Sequence, residues 1–236
     1  MLKRKILNLL AIDTSTEAGS VALTVNEQIF SDFELCPQSH SVLILPMVDK
    51  LIKQADCTLS QFDGLVFGRG PGSFTGVRIG IGVAQGLAYS AELPVYGVST
   101  LQAMAQQAYR LHNKKRVLAA IDARMAEIYV GLFECDDAGV MQPLSPEVNI
   151  KPEDIAALIE QHNGEFYGVG TGFETYQTLL QSFVSNTTFD VLYPNALDML
   201  TLAKTPMENG EGVDAENAQP VYVRDTISWK KLPGRE

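Results

Sequence analysis

Little in this 236-residue chain suits redox, metal or membrane work. Cys36, Cys57 and Cys135 are odd in number and unevenly spaced, which suggests neither a disulfide framework nor a zinc site. His40, His112 and His162 lie far apart, and none has a partner at metal-ligand spacing, so no metal is expected. No apolar run reaches the roughly 18 residues that cross a bilayer, and the apolar start lacks a small-residue cleavage site. A cytoplasmic protein without membrane contact is the expectation. Basic residues are also short: 18 Lys and Arg face 28 Asp and Glu, a formal charge of −10. That counts against a free-standing RNA binder, whose affinity comes from cations on phosphates.

Apolar residues, at 46%, suffice for one large core or two small ones. The organising stretch runs from Gly64 to Tyr89 and reads as strand, glycine loop and helix. Gly76, Gly80, Gly82 and Gly86 fall inside that helix, each costing about 1 kcal/mol against alanine. Glycines four apart line one face and admit another backbone, while Ile79, Val83 and Leu87 leave little polar surface. A neighbouring helix of the same chain and a second protein chain stand level as occupants of that face.

Around this stretch the order reads βββαβαβα. Lys5–Asp13 is a strand ending in a carboxylate, and Ser20–Val25 and Gln28–Glu34 are two antiparallel strands. Ser39–Asp56 is a helix with a wide apolar stripe, which Pro46 should kink or interrupt. Val95–Val98 is a strand, and Thr100–Leu111 a helix.

The order then restarts. Leu10-Ala-Ile-Asp13 recurs as Ala119-Ala-Ile-Asp122, with Val21 and Leu23 falling on Val130 and Leu132 at the same offset. Gly68, Gly70 and Gly72 recur as Gly168, Gly170 and Gly172. Helices are expected at Pro152–Gln161, Phe173–Phe183 and Asn195–Ala203. Pro206–Gln219 reads as an acidic mobile loop, with a last edge strand at Pro220–Arg224 before a basic tail around Trp229. The chain is thus a duplicated α/β protein with a degenerate second copy, divided at 1–113 and 114–236.

Two such halves facing across a cleft resemble the actin, sugar-kinase and Hsp70 (ASKHA) superfamily, each half a mixed five-stranded sheet with helices. By that analogy Asp13, Ser15, Asp122 and Arg124 stand at the two phosphate-side turns, and Gly168 and Gly170 where an adenosine is held. More closely, the chain resembles the bacterial TsaB (YeaZ) family through AIDTSTEAGSVAL at Ala11–Leu23, SHSVLILP at Ser39–Pro46, GPGSFTGVRIG at Gly70–Gly80, IDARMAEIY at Ile121–Tyr129 and the terminal WKKLPGRE.

The resemblance implies a non-catalytic subunit that pairs with the catalytic TsaD and, with the ATPase TsaE, places threonylcarbamoyl on the anticodon-adjacent adenosine of tRNAs reading codons that begin with A. The tRNA is then met through the complex. It implies a partner face on the first half's two outer helices, at His40, Leu43, Met47, Leu51, Gly76, Arg78, Ile79, Gly80, Val83 and Leu87, and a homodimer when TsaD is absent. For Arg78 a salt bridge to Asp49 or Asp56 is the local alternative.

In TsaD the helix after the fifth strand carries two metal-binding histidines one turn apart; here Thr100 and Met104 stand there. No resident cofactor is expected, with a nucleotide in the cleft or at the partner interface as the ligand to look for. The competing reading is an independent ATPase or kinase using Asp13, Asp122 and Gly168–Gly172. A peptidase lacks both metal ligands and a triad.

Overall fold

The computed structural model describes residues 6–224; the basic tail around Trp229, with Lys230, Lys231 and Arg235, lies outside them. The first lobe opens with β1 (Leu9–Asp13), β2 (Ala18–Val25) and β3 (Gln28–Leu35). It continues through α1 (His40–Gln54), β4 (Gly64–Gly68), α2 (Phe74–Ala91), β5 (Val95–Val98) and α3 (Thr100–His112). This is the βββαβαβα order read from the sequence. Ser73 and Ser99 cap α2 and α3 by accepting from the Gly76 and Gln102 amides. Pro46 does not interrupt α1, which is continuous from His40 to Gln54.

The second lobe contains β6 (Arg116–Asp122), β7 (Ile128–Cys135), β8 (Met141–Pro143), β9 (Val148–Ile150) and α4 (Ile155–Ile159). Then come β10 (Tyr167–Val169), α5 (Thr171–Thr175), α6 (Gln177–Leu180), β11 (Asn186–Thr187) and α7 (Ala196–Glu208). The helix expected at Phe173–Phe183 is broken at Tyr176, whose φ of −121° ends α5.

The duplication is explicit in the sheets. The first runs β3-β2-β1-β4-β5, and the second runs β8-β7-β6-β10-β11 with β9 also on β7, making six strands where five were expected. In each, the first strand pairs antiparallel with the second and parallel with a later one. The two sheets enclose α3 and α7, whose apolar faces (Leu101, Met104, Met199, Ala203) fill the inter-lobe core with Ala11, Val66, Val117 and Ala119. Outside the first sheet α1 and α2 cover Leu10, Ile12, Val21 and Leu65. Outside the second, the short helices cover Leu118, Ala120 and Val130. The shared middle layer, at about 25 cal/mol per Å² of apolar surface buried, holds the lobes as one body, while each outer layer stabilises its own lobe.

The acidic stretch 206–219 is not a mobile loop. Pro206 lies in the last turn of α7, where it forgoes one intrahelical N–H bond, Val213 pairs with Val95, and Ala215 and Ala218 are buried under α2. Nor do residues 220–224 form a strand; Val221 alone donates its N–H, to Arg69 O at 2.8 Å.

Candidate functional site

Both central strands end in a carboxylate, but the two face different ways. Asp13 alternates with Leu9 and Ala11 and points to the inter-lobe layer, where it is 1% exposed. Ser15 donates from its amide at 3.0 Å and from Oγ at 2.9 Å, and Thr100 Oγ1 donates to Ser15 Oγ at 2.9 Å. Burial pushes the Asp13 carboxyl up to about 6, against the pull of the Ser15 hydrogen bonds and of nearby His40.

Asp122 alternates with Leu118 and Ala120 and points to the outer layer. It accepts from the Arg124 amide at 3.0 Å and from Tyr176 Oη at 3.5 Å. The Asp13–Asp122 correspondence read from the sequence therefore fails by one residue of strand alternation, which moves a side chain to the opposite face. The pairing shows it too: Ile12 opposes Val21, whereas Ile121 opposes Tyr129 rather than Val130.

At the second glycine turn a Cβ on Gly168 would run into the Phe173 ring, and one on Gly170 into the Ala120 carbonyl, so both glycines serve the lobe's own packing. Arg124 reaches across instead, to Glu17 of the first lobe at 3.2 Å. Two hollows stand out, and neither is lined by Asp13 or Asp122. One, of ≈ 460 Å³, lies at Leu7, Asp63, Pro94 and Met207; the other, of ≈ 380 Å³, lies beside α2 at Arg78, Gly82, Gln85, Pro220 and Tyr222.

On the expected partner face several residues turn inward. His40 is 7% exposed with Nε2 3.3 Å from Ala18 O, and Met47 and Leu51 are buried in the first lobe's own core. Gly76 and Gly80 do not face a partner: Cβ atoms there would meet the Thr14 carbonyl and Thr14 Oγ1, which donates to Gly76 O at 2.7 Å. These glycines let β1's following turn nest on α2. Arg78 makes no ion pair with Asp49 or Asp56; its Nε donates to Tyr222 Oη at 3.0 Å and its guanidinium lies 3.6 Å from the Phe74 ring centroid.

Leu43, Ile79, Val83 and Leu87 are half-buried. The partner-face reading left out the most open apolar groups of these helices, Val42, Leu45 and Tyr89, and with them the exposed Gly82 and Gly86. Among the described residues nothing lies within 4 Å of a Cβ at either glycine. Six residues is about one and two-thirds turns, which separates this pair from Gly76 and Gly80.

Thr100 and Met104 are buried, with Met104 packed towards Gly170. Among the described residues no group of three or more His, Cys, Asp or Glu could hold a metal ion, and no helix is long and apolar enough to cross a membrane.

The mirrored sheets with helices between and outside them define a duplicated α/β protein. The model of the TsaD family, tRNA N6-adenosine threonylcarbamoyltransferase, matches residues 28–229. An Escherichia coli protein named tRNA threonylcarbamoyladenosine biosynthesis protein TsaB is 47% identical, over 98% of this chain and 100% of its own. Its Haemophilus influenzae namesake is 42% identical over 98% and 99%. The solved structure of Pseudomonas aeruginosa YeaZ has a TM-score of 0.86 at 44% identity, covering 92% of this chain and 100% of that one. A second Pseudomonas aeruginosa structure, of a protein described as similar to peptidase YEAZ, has a TM-score of 0.87 at 44% identity, over 93% and 100%. The chain belongs to the TsaB (YeaZ) family, itself related to TsaD.

Proposed function

We propose that the chain is a non-catalytic scaffold of tRNA threonylcarbamoyladenosine biosynthesis, acting in the cytoplasm by docking a TsaD-type catalytic subunit in a complex completed by a TsaE-type ATPase. The observation that carries this reading is the contrast between a filled cleft and an open outer helix layer. Thr100 and Met104, standing where the catalytic relatives would carry histidines, are core side chains, and Asp13 is closed in by Ser15 and Thr100. On α1 and α2, by contrast, Val42, Leu45 and Tyr89 are exposed, and among the described residues nothing fills the space over Gly82 and Gly86. An apolar, notched surface of this kind suits a protein partner, and in that partner's absence a second copy.

The test is reconstitution with the TsaD-type and TsaE-type proteins and tRNA. Product is expected from the complex and none from the chain alone. Gly82→Leu fills the notch without touching the chain's own core, so partner co-purification should fall about tenfold while thermal stability holds. Undiminished capture would remove the interface claim, and threonylcarbamoyl transfer by the chain alone would remove the scaffold claim. Calorimetry with ATP and magnesium tests the ATPase alternative, which needs the two carboxylates to converge. Their opposite facing weighs against it.

A further inference from the structure

Residues 215–224 touch both lobes in ten residues. Ala215 and Ala218 are buried against α2, and Gln85 Nε2 donates to Ala218 O at 3.4 Å. Val221 N donates to Arg69 O at 2.8 Å, just past the end of β4, and Tyr222 stacks with Phe74 and Arg78. Two residues later the chain is on the other lobe. Arg224 Nη2 donates to Ala123 O at 3.0 Å and to Glu127 Oε2 at 2.6 Å, the two ends of the β6–β7 turn. Both landing points lie at the carboxyl ends of central strands, where clefts open in α/β sheets.

The turn that Arg224 grips is under strain. Arg124, Met125 and Ala126 all have left-handed φ, of 63°, 56° and 60°, and none is glycine. Three consecutive residues of this kind persist only where surrounding contacts over-determine them. Arg124's pair with Glu17 is an exposed one, with the cation's side chain 75% accessible, and contributes little. Arg224 is 19% accessible and bonds two groups at once, so its grip is the stronger. Glu127 is pre-set to receive it: the Asn149 hydrogen bond first, then the Arg224 charge, hold its carboxyl below the usual range.

We infer that Ala215–Arg224 is an inter-lobe latch, and that Arg224 is the positioning residue that holds the β6–β7 turn. Release at Arg224 frees the turn and the cleft mouth while leaving both sheets intact. These contacts all lie within one chain, so the inference does not rest on the scaffold reading.

Hydrogen exchange of the full chain alone, with Arg224→Ala, Arg224→Lys and a chain ending at Gln219, tests it. In Arg224→Ala and the shortened chain, exchange of the Ala123 and Glu127 amides should rise about tenfold, with the centres of β1 and β6 unchanged. Trypsin cleavage after Arg124 should quicken to match. Arg224→Lys keeps the cation on a shorter stem that reaches the Ala123 carbonyl and Glu127 less well than Nη2 does, and should fall between. Should the shortened chain fail to fold, the two point variants carry the test. Unchanged turn exchange in Arg224→Ala overturns the latch, and so does a uniform rise through both lobes, which would make Arg224 a general prop. Partner capture enters neither readout, so failure here leaves the scaffold proposal to its own assay.

Discussion

At the end of β1 the chain folds inward, and at the end of β6 it folds outward. The first turn, Thr14 to Glu17, is pressed onto α2 through Gly72, Gly76 and Gly80, with Asp13 sealed beneath it. Its counterpart, Ala123 to Glu127, stands at the surface in left-handed conformation, with Met125 62% exposed, and depends on Arg224 from outside. Two copies of one design have thus divided the work: one turn is interior packing, the other an exposed element held by a strap. The difference teaches that sharing a topology does not oblige two halves to share a site, since one residue of strand alternation decides what a carboxylate faces.

The harshest way to break the comparison is to treat the inward turn as if it were outward. A Cβ on Gly76 would overlap the backbone carbonyl of Thr14, which no rotamer change relieves. Gly76→Leu should therefore cost about 3 kcal/mol or more and leave little folded chain, read as a collapse of the denaturation midpoint. Gly82→Leu, on the same helix but facing open space, should fold normally. Equal stability of the two variants would mean that the turn does not nest on α2.

Asp13 sharpens the comparison through pH. Its carboxyl is raised from 3.8 to about 6 by burial, so the folded chain holds that proton more tightly than the unfolded chain does. Below about pH 4 both states are protonated and the site costs nothing; between about pH 4 and 6 the unfolded chain alone ionises, and stability falls by up to about 3 kcal/mol before levelling off above pH 6. Asp13→Asn removes the penalty. Its denaturation midpoint should exceed that of the parent at pH 8, less whatever Ser15's hydrogen bonds lose, and the gain should vanish at pH 4. A pH-independent difference would show that Asp13 does not ionise alone in a closed site.

How much of this was legible beforehand follows from what periodicity can carry. The first lobe's elements were readable because Val21, Leu23 and Val25 alternate and α1 and α2 repeat apolar residues at helical spacing. The duplication was readable from Asp13, Asp122 and the two glycine triplets, and the mirrored sheets agree with it. The facing of those same residues was not. An offset of 109 matches identities well, yet β7 pairs with β6 one residue out of step with it. Glycine spacing likewise gave faces without neighbours: Gly76 with Gly80, and Gly82 with Gly86, look alike until Thr14 is found against the first pair. Acidic composition misdirected the reading of 206–219, where Ala215 and Ala218, two small residues among acids, are what seat the segment on α2. Nothing local announces a contact made 101 residues away, such as Arg224 on Ala123.

The mildest probe acts on the outward turn. Ala126 sits at φ 60°, in a conformation that costs an L-residue roughly 1–2 kcal/mol and glycine almost nothing. Ala126→Gly should therefore stabilise the chain by about 0.5–1 kcal/mol once the freer unfolded state is allowed for, a rise of a few degrees at most in a chain of this length. It should also weaken the demand on Arg224, because a turn that prefers its left-handed form needs less holding. The stability lost in Arg224→Ala should then be smaller when Ala126→Gly is already present, a coupling that a double-mutant cycle reads directly. Strict additivity would mean that Arg224 braces the lobes without bearing on the turn's conformation, and the contrast between a packed turn and a strapped one would rest on exposure alone.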